Sequence, residues 1–464
     1  MRCGGQGEEL PLPSFSEGVI SMELDLLIRD GILLDPVRKT EDRLNIGIAG
    51  DRIALVGKEE PPAKKVIEAF DLAVSPGFID THMHDEELED PGTIQKALLL
   101  QGVTTALAGN CGSGPSLGLV KEKRKFPWLN LGYLSGHRAL REEVGITDVY
   151  QPATEPEIAR MEKLLERELA LGSFGLSFGL EYAPNTSPRE IEALCKVLRG
   201  YDNRFVSVHI RHDGPDCLES VEEVIGLAER FGIRVQVSHL GSMTAFGFTA
   251  RSIELIEEAR GRGSDVTFDC YPYSAFCTFI GSTVFDPGFE ERWGKGLESL
   301  EAASGKYRGK RLTPPIYEDM RKNDPEALII AHVMNEPEIR LCLRHPLCAV
   351  ASDGVLHGGE GHPRAAGAFP RAMRWLREEG LSWPEAVAHA TALPAEMAWL
   401  PGGRLEVGAP ADIVVFSPDD LRDRATFEDQ LASPEGISAV VVNGKVAVER
   451  GVLAAQPAGR LLLR

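Results

Sequence analysis

The sequence predicts an α/β protein: a (β/α)8, TIM-like barrel with a small β-sandwich built from both chain ends. Three observations carry this prediction. Strand-like and helix-like stretches alternate from about 76 to 394, the texture of a parallel barrel. Hairpin-rich text occurs at both ends and not between them. The chain has 464 residues, 43% of them hydrophobic. At roughly 100–200 residues per domain that suits one large barrel with an appendage, and it excludes wholesale disorder.

Residues 1–21, rich in Gly, Pro, Ser and Glu without periodicity, read as a flexible tail. Residues 22–75 read as short strands with tight turns. LNIGIAGDRIALVG, for example, is two alternating runs joined at Ala49-Gly50-Asp51. Residues 76–394 hold eight apolar runs: FIDTHMH, VTTALAG, LNLGYLSG, FGLSFGL, FVSVHI, RVQVSHL, DVTFDCY and CAVASDG. Between several of them lie amphipathic stretches such as EPEIARMEKLLERELALG and SVEEVIGLAERFG. One helix is fully punctuated: Ser187 caps it, Pro188 fits its first turn, Glu190 completes a capping box and Gly200 closes it. A doubly wound sheet is the alternative, but no glycine-rich nucleotide turn follows an early strand. The stretch from about 278 to 327 is polar, broken by Pro and Gly, and too long for a βα loop, so it reads as an inserted lid. Residues 395–464 return to strands. ADIVVFS is a buried strand, and AVVVNGKVAV carries Asn443-Gly444, the pair a type I′ turn demands.

The formal charge of −20, from 50 Lys+Arg against 70 Asp+Glu, repels phosphate backbones and anionic headgroups. Nucleic-acid and membrane partners are therefore not expected. No apolar run approaches the roughly 20 residues of a membrane span. The opening stretch lacks the pattern of a secretory signal, and eight irregularly spaced cysteines suit reduced thiols. A cytoplasmic location is the expectation.

In such barrels the chemistry sits at the C-terminal ends of the strands. His82 and His84 close the first run, Cys111 follows the second, His209 closes the fifth, His239 the sixth and Asp353 the eighth. The i, i+2 spacing of His82 and His84 puts both on one face of a strand. A lone strand-end histidine is usually structural, and a lone cysteine is usually a small buried hydrophobe. Here four of only 11 histidines fall at ends that a barrel would gather, which points to a divalent transition metal, most naturally zinc.

SPGFIDTHMHDE, GVTTALAGNCG, GLSFGLEYAP, VSVHIRHDG, VSHL, YPY, ASDG and HPRAAGAFPR occur in the order found in the amidohydrolase superfamily. Within it the chain most resembles the D-aminoacylases (N-acyl-D-amino-acid deacylases). GRLEVGAPADIVVF is similar to the superfamily's β-sandwich return. The resemblance implies a tightly held zinc on Cys111, His209 and His239, with His82 and His84 forming a second, weaker site or shaping the first. It makes Asp353 the catalytic aspartate, Arg364 the anchor for the substrate's α-carboxylate, and Tyr271 and Tyr182 pocket residues. Zinc lowers the pKa of bound water to about 7 and polarises an amide carbonyl. An aspartate beside it can move a proton from water to the departing amine.

Departures from the family pattern fall around the substrate. Gly241 stands where a lysine is usual, and the acid after the fifth strand is displaced to Asp213. Cys277 replaces a serine, and EYAP continues into Asn185-Thr186. His137 and His332 are further candidates, for a supporting and a pocket-facing place respectively. The expected partner is a small anionic substrate, an N-acyl amino acid. The alternatives are a cyclic-amide hydrolase of hydantoinase or dihydroorotase type and a non-catalytic scaffold. The first usually needs a lysine after the fourth strand, where FGLSFGL has none; the second should have lost ligands.

Overall fold

The eight barrel runs each form a short strand, buried throughout except at Arg234, as parallel strands covered on both faces must be. The computed structural model describes residues 23–90 and 92–464; the tail expected over 1–21 lies outside them. The strands are Phe78–Asp80, Val103–Ala108, Asn130–Tyr133, Gly175–Gly179, Phe205–His209, Arg234–Val237, Val266–Cys270 and Cys348–Val350. All neighbouring pairs within the two resulting ladders are parallel. The first three strands make one ladder. Five form the other, with Ser135–Gly136 added at its edge two residues beyond Tyr133. At the opposite seam the first and last strand ends are stitched by main chain. Asp353 N donates to His82 O at 2.8 Å, His84 N donates to Gly354 O at 2.9 Å, and Met83 bridges Gly354. Asp80 reinforces the seam by accepting from the Ser352 hydroxyl at 2.5 Å and from the Ser352 N–H at 3.1 Å.

The expected helices form over Glu155–Leu171, Pro188–Leu198 and Cys217–Phe231. Ser187 accepts from Glu190 N at 3.1 Å as anticipated. The Glu190 carboxylate does not turn back to complete a capping box. Instead it is buried between His137 Nε2 at 2.8 Å and Arg141 Nη1 at 2.7 Å, because a buried cation and imidazole bind it better than a helix end does. His137 is thereby part of a buried ionic cluster.

Both chain ends join one β-rich unit, a nine-stranded network in which Ala73–Pro76 pairs with Ile413–Phe416. The hairpin Thr40–Ala49/Arg52–Gly57 and the hairpin Ile437–Val442/Lys445–Glu449 form as expected. Asn443 and Gly444 have φ of 49° and 76°, the left-handed pair of a type I′ turn. The segment expected as a lid has structure of its own: strands Phe276–Phe279, Leu300–Ala302 and Leu328–Ala331 make an antiparallel sheet flanked by Pro314–Asn323. Among the described residues no helix is long and apolar enough to cross a membrane.

Candidate metal centre and substrate pocket

His82, Cys111, His239 and Asp353 arrive from four strand ends with their ligand atoms all within 4.8 Å of one another, each side chain buried. His82 Nε2 lies 3.3 Å from Cys111 Sγ and 3.3 Å from Asp353 Oδ1; Cys111 Sγ lies 3.5 Å from His239 Nε2. His84 reaches the same carboxylate oxygen at 3.2 Å. Three of the four, Cys111, His239 and Asp353, have φ of 52°, 33° and 46°. Left-handed backbone is unfavourable for side-chain-bearing residues and collects where function requires it.

Neighbours fix each ring. Asp269 Oδ2 faces His82 Nδ1 at 3.3 Å, and Asp269 Oδ1 accepts from His239 N at 2.8 Å. Ser242 Oγ meets His239 Nδ1 at 2.8 Å, and Glu86 holds His84 Nδ1 at 2.8 Å. Glu181 holds His209 Nε2 at 2.9 Å, leaving His209 Nδ1 buried with no hydrogen-bond partner. The His209 ring packs 4.6 Å from that of His239. His209 is therefore at the cluster, with its free nitrogen available, but outside the four atoms that already converge.

The charges suit a cation. Burial alone would raise the Cys111 thiol pKa, but His82 and His239 outweigh it and hold the group well below the usual thiol range. Burial likewise opposes ionisation of Asp353, yet Arg364 and His82 keep that carboxyl well below its ordinary value. A thiolate, a carboxylate and imidazoles within reach of one point, together with an unpartnered buried nitrogen on His209, are the donor set of a borderline divalent ion. The residues therefore fit zinc.

Arg364, 1% exposed, opens the helix Arg364–Glu378. Its Nη1 lies 2.9 Å from Asp353 Oδ2, its Nη2 donates to the Cys277 carbonyl at 3.1 Å, and its Nε is buried without a partner. The guanidinium sits 4.6 Å from the ring centre of Tyr271, whose hydroxyl is also buried and unpartnered. Tyr182 donates to Thr278 Oγ1 at 3.2 Å. A cavity of about 530 Å³ opens over the cluster, walled by His84, Cys111, Tyr182, His239, Asp353 and Arg364 and, from the inserted segment, by Thr278, Phe279 and Leu328. Tyr271 lines a small recess beside it. His332 instead pairs with Glu301 at 3.2 Å and is not part of that wall.

Two departures acquire a physical reason. A Cβ at Gly241 would lie 2.7 Å from Cys270 Sγ and 2.8 Å from Ile339 Cδ1, so a longer side chain there must displace these neighbours. Cys277 serves Arg364 through its carbonyl, which a serine would supply equally. Asp269, Glu181, Glu86 and Ser242 were not singled out from the sequence as site residues. Glu86 and Ser242 lie within three residues of a candidate ligand, and Asp269 and Glu181 lie within two residues of the pocket candidates Tyr271 and Tyr182.

The comparisons with known proteins agree in kind. A family model described as the amidohydrolase family matches residues 209–448. An N-acyl-D-glutamate deacylase of Alcaligenes xylosoxydans xylosoxydans is 33% identical over 95% of this chain and 97% of its own length. A D-aminoacylase of the same organism is 31% identical over 96% of this chain and 98% of its own. The crystal structure of an N-acyl-D-glutamate deacylase from Bordetella bronchiseptica, complexed with zinc and a phosphonate mimic of the tetrahedral intermediate, superposes with a TM-score of 0.85 at 28% identity, covering 95% of this chain and 100% of that one. With a TIM-barrel-type α/β fold and this cluster at its strand ends, the chain belongs to the amidohydrolase family.

Proposed function

We propose that the protein is a metal-dependent deacylase that hydrolyses the amide bond of N-acyl-D-amino acids to a carboxylate and a free D-amino acid, with zinc as its metal. The observation that carries this reading is the convergence of His82, Cys111, His239 and Asp353 beside a buried arginine with a spare donor in one cavity. Near-full-length similarity to proteins named N-acyl-D-glutamate deacylase and D-aminoacylase supports it. Cys111, His209 and His239 would hold the principal ion, with His82 and His84 on a second or supporting position.

The bound ion supplies Lewis acidity to the scissile carbonyl and to the attacking water. Asp353 is the proton carrier: ionised at neutral pH, it accepts a proton from that water and delivers it to the departing nitrogen, which leaves poorly unprotonated. Arg364 presents a planar fork to the substrate's α-carboxylate, with the Tyr271 hydroxyl and Tyr182 beside it. Binding of a carboxylate would satisfy the buried Arg364 Nε and Tyr271 hydroxyl, which otherwise remain unpaired. Among the described residues the cavity wall carries no lysine, which favours a linear amide over the carboxylated-lysine chemistry of the cyclic-amide relatives. The same reading includes the barrel's closure through the seam at Asp353, a β-sandwich made by the nine strands, and a lid role for residues 278–327.

The test is a panel of N-acetyl-D- and N-acetyl-L-amino acids, assayed on chelated and zinc-restored protein. Zinc-dependent turnover of D-substrates is expected; no turnover of any D-substrate would end the proposal.

A further inference from the structure

Two buried carboxylates stand behind His209, and the reaction just described uses neither. Glu181 Oε2 holds His209 Nε2, while its Oε1 lies 3.4 Å from Arg292 Nη2. Asp213 Oδ1 lies 2.7 Å from Arg292 Nε, and Asp213 Oδ2 accepts from Trp293 Nε1 at 2.7 Å. Arg292 and Trp293 belong to the short helix Phe289–Trp293 of the inserted segment. That segment touches the same place once more, where Thr283 Oγ1 donates to the Glu181 carbonyl at 2.5 Å, and within the segment Arg292 Nη2 donates to Val284 O at 2.7 Å. Glu181 and Asp213 follow the strands Gly175–Gly179 and Phe205–His209, so one guanidinium ties two barrel strand ends to the insert.

Two carboxylates side by side in a buried place repel, and a guanidinium within ion-pair distance of both offsets the repulsion and holds them near it by charge. An oriented Glu181 fixes the His209 ring, because the bond at Nε2 determines where Nδ1 points. Partners that orient a ligating histidine are worth about 10–100-fold in metal affinity. Asp213, the displaced acid, stands where Arg292 and Trp293 reach it.

We propose that Arg292 is a positioning residue which, by bridging Glu181 and Asp213, locks the His209 ring with Nδ1 toward the metal and so couples metal retention to the seating of the inserted segment. This rests on the reading of His209 as a ligand.

The test uses the full chain. Zinc affinity is measured by chelator competition, and the ligand field by the visible spectrum of the cobalt-substituted protein. Arg292→Gln should weaken zinc binding about tenfold or more and alter the cobalt bands, with Arg292→Lys recovering part of the loss. Glu181→Gln should reproduce the loss, and adding Arg292→Gln to it should cost little further, because both act through one contact. If Arg292→Gln does not fold, Arg292→Lys carries the cycle: a few-fold weaker affinity in the parent background and none in Glu181→Gln. Zinc affinity and cobalt spectrum within twofold of the parent, or losses that multiply in the double variant, would overturn the inference. A parent that holds no zinc would overturn the proposed function, and this inference with it; a zinc-holding parent with an unaffected Arg292→Gln would overturn this inference alone.

Discussion

Replacing Arg364 by Met removes the charged fork while keeping much of the buried volume. The parent side chain touches Asp353 at 2.9 Å and the Cys277 carbonyl at 3.1 Å, and it has a spare donor at Nε. Two charge-assisted bonds to a substrate carboxylate, at about 1.5–3 kcal/mol each, give a loss of roughly 3–6 kcal/mol in transition-state binding. At 1.36 kcal/mol per decade that is about 10²- to 10⁴-fold in kcat/KM. The carboxylate does not react, so it is held alike in ground and transition states and most of the loss should appear in KM. A smaller fall in kcat should accompany it, because Asp353 loses its neighbour. The assay compares an N-acetyl-D-amino acid with the corresponding N-acetyl amine lacking the carboxylate, on parent and variant. The amine should be a poor substrate for both, by similar amounts. Equal penalties on the two substrates would refute the assignment, since Arg364 would then be supporting the site and not binding the carboxylate. Thermal melting separates the two effects, because removing one partner of a buried ion pair also destabilises the fold by about 3–5 kcal/mol.

Other perturbations follow from the same geometry. Cys111→Ala should lose the tightly held metal, read as zinc per chain by elemental analysis, and should lose the thermal stabilisation that zinc confers on the parent. Asp353→Asn should retain metal yet lower kcat by about 10²–10⁴-fold, the worth of a positioned proton carrier, as measured in steady-state turnover. Gly241→Ala should cost about 1–3 kcal/mol by overpacking against Cys270 and Ile339, seen as a lower melting temperature, with no change expected in metal content. His389 donates from Nδ1 to the Cys348 carbonyl at 2.8 Å, and burial holds its pKa below the ordinary value. Below about pH 6.5 the unfolded chain thus binds a proton that the folded one refuses, so stability present at pH 7 is lost as pH falls. Denaturant titrations should show His389→Asn losing less stability than the parent between pH 7 and 5.

Much of this architecture was legible because it obeys local rules. The eight apolar runs became eight strands, and Asn443-Gly444 formed its turn because both residues tolerate positive φ. The gathering of His82, Cys111, His239 and Asp353 followed from placing each at a strand end in a parallel barrel. What the sequence does not announce depends on contacts made across the fold. Glu190 sits at a capping position, but it is claimed by His137 and Arg141, which lie 53 and 49 positions away. The Arg364–Asp353 contact and the grip of Arg292 on Glu181 and Asp213 have no sequence period to announce them. Left-handed backbone at Cys111, His239 and Asp353 is likewise invisible, because none is a glycine. The inserted segment reads as irregular text because its three strands are short and pair with one another across long intervals.

The main-chain stitches between the first and last strands have a consequence for how activity can arise. His84 and Asp353, 269 positions apart, share a contact only once that seam has zipped. A nascent or nicked polypeptide missing either of those strands lacks part of the reactive group, however well its other strands have formed. Regain of turnover during refolding would then time the meeting of these two strand ends, and two complementary fragments should be silent alone and active only when folded together.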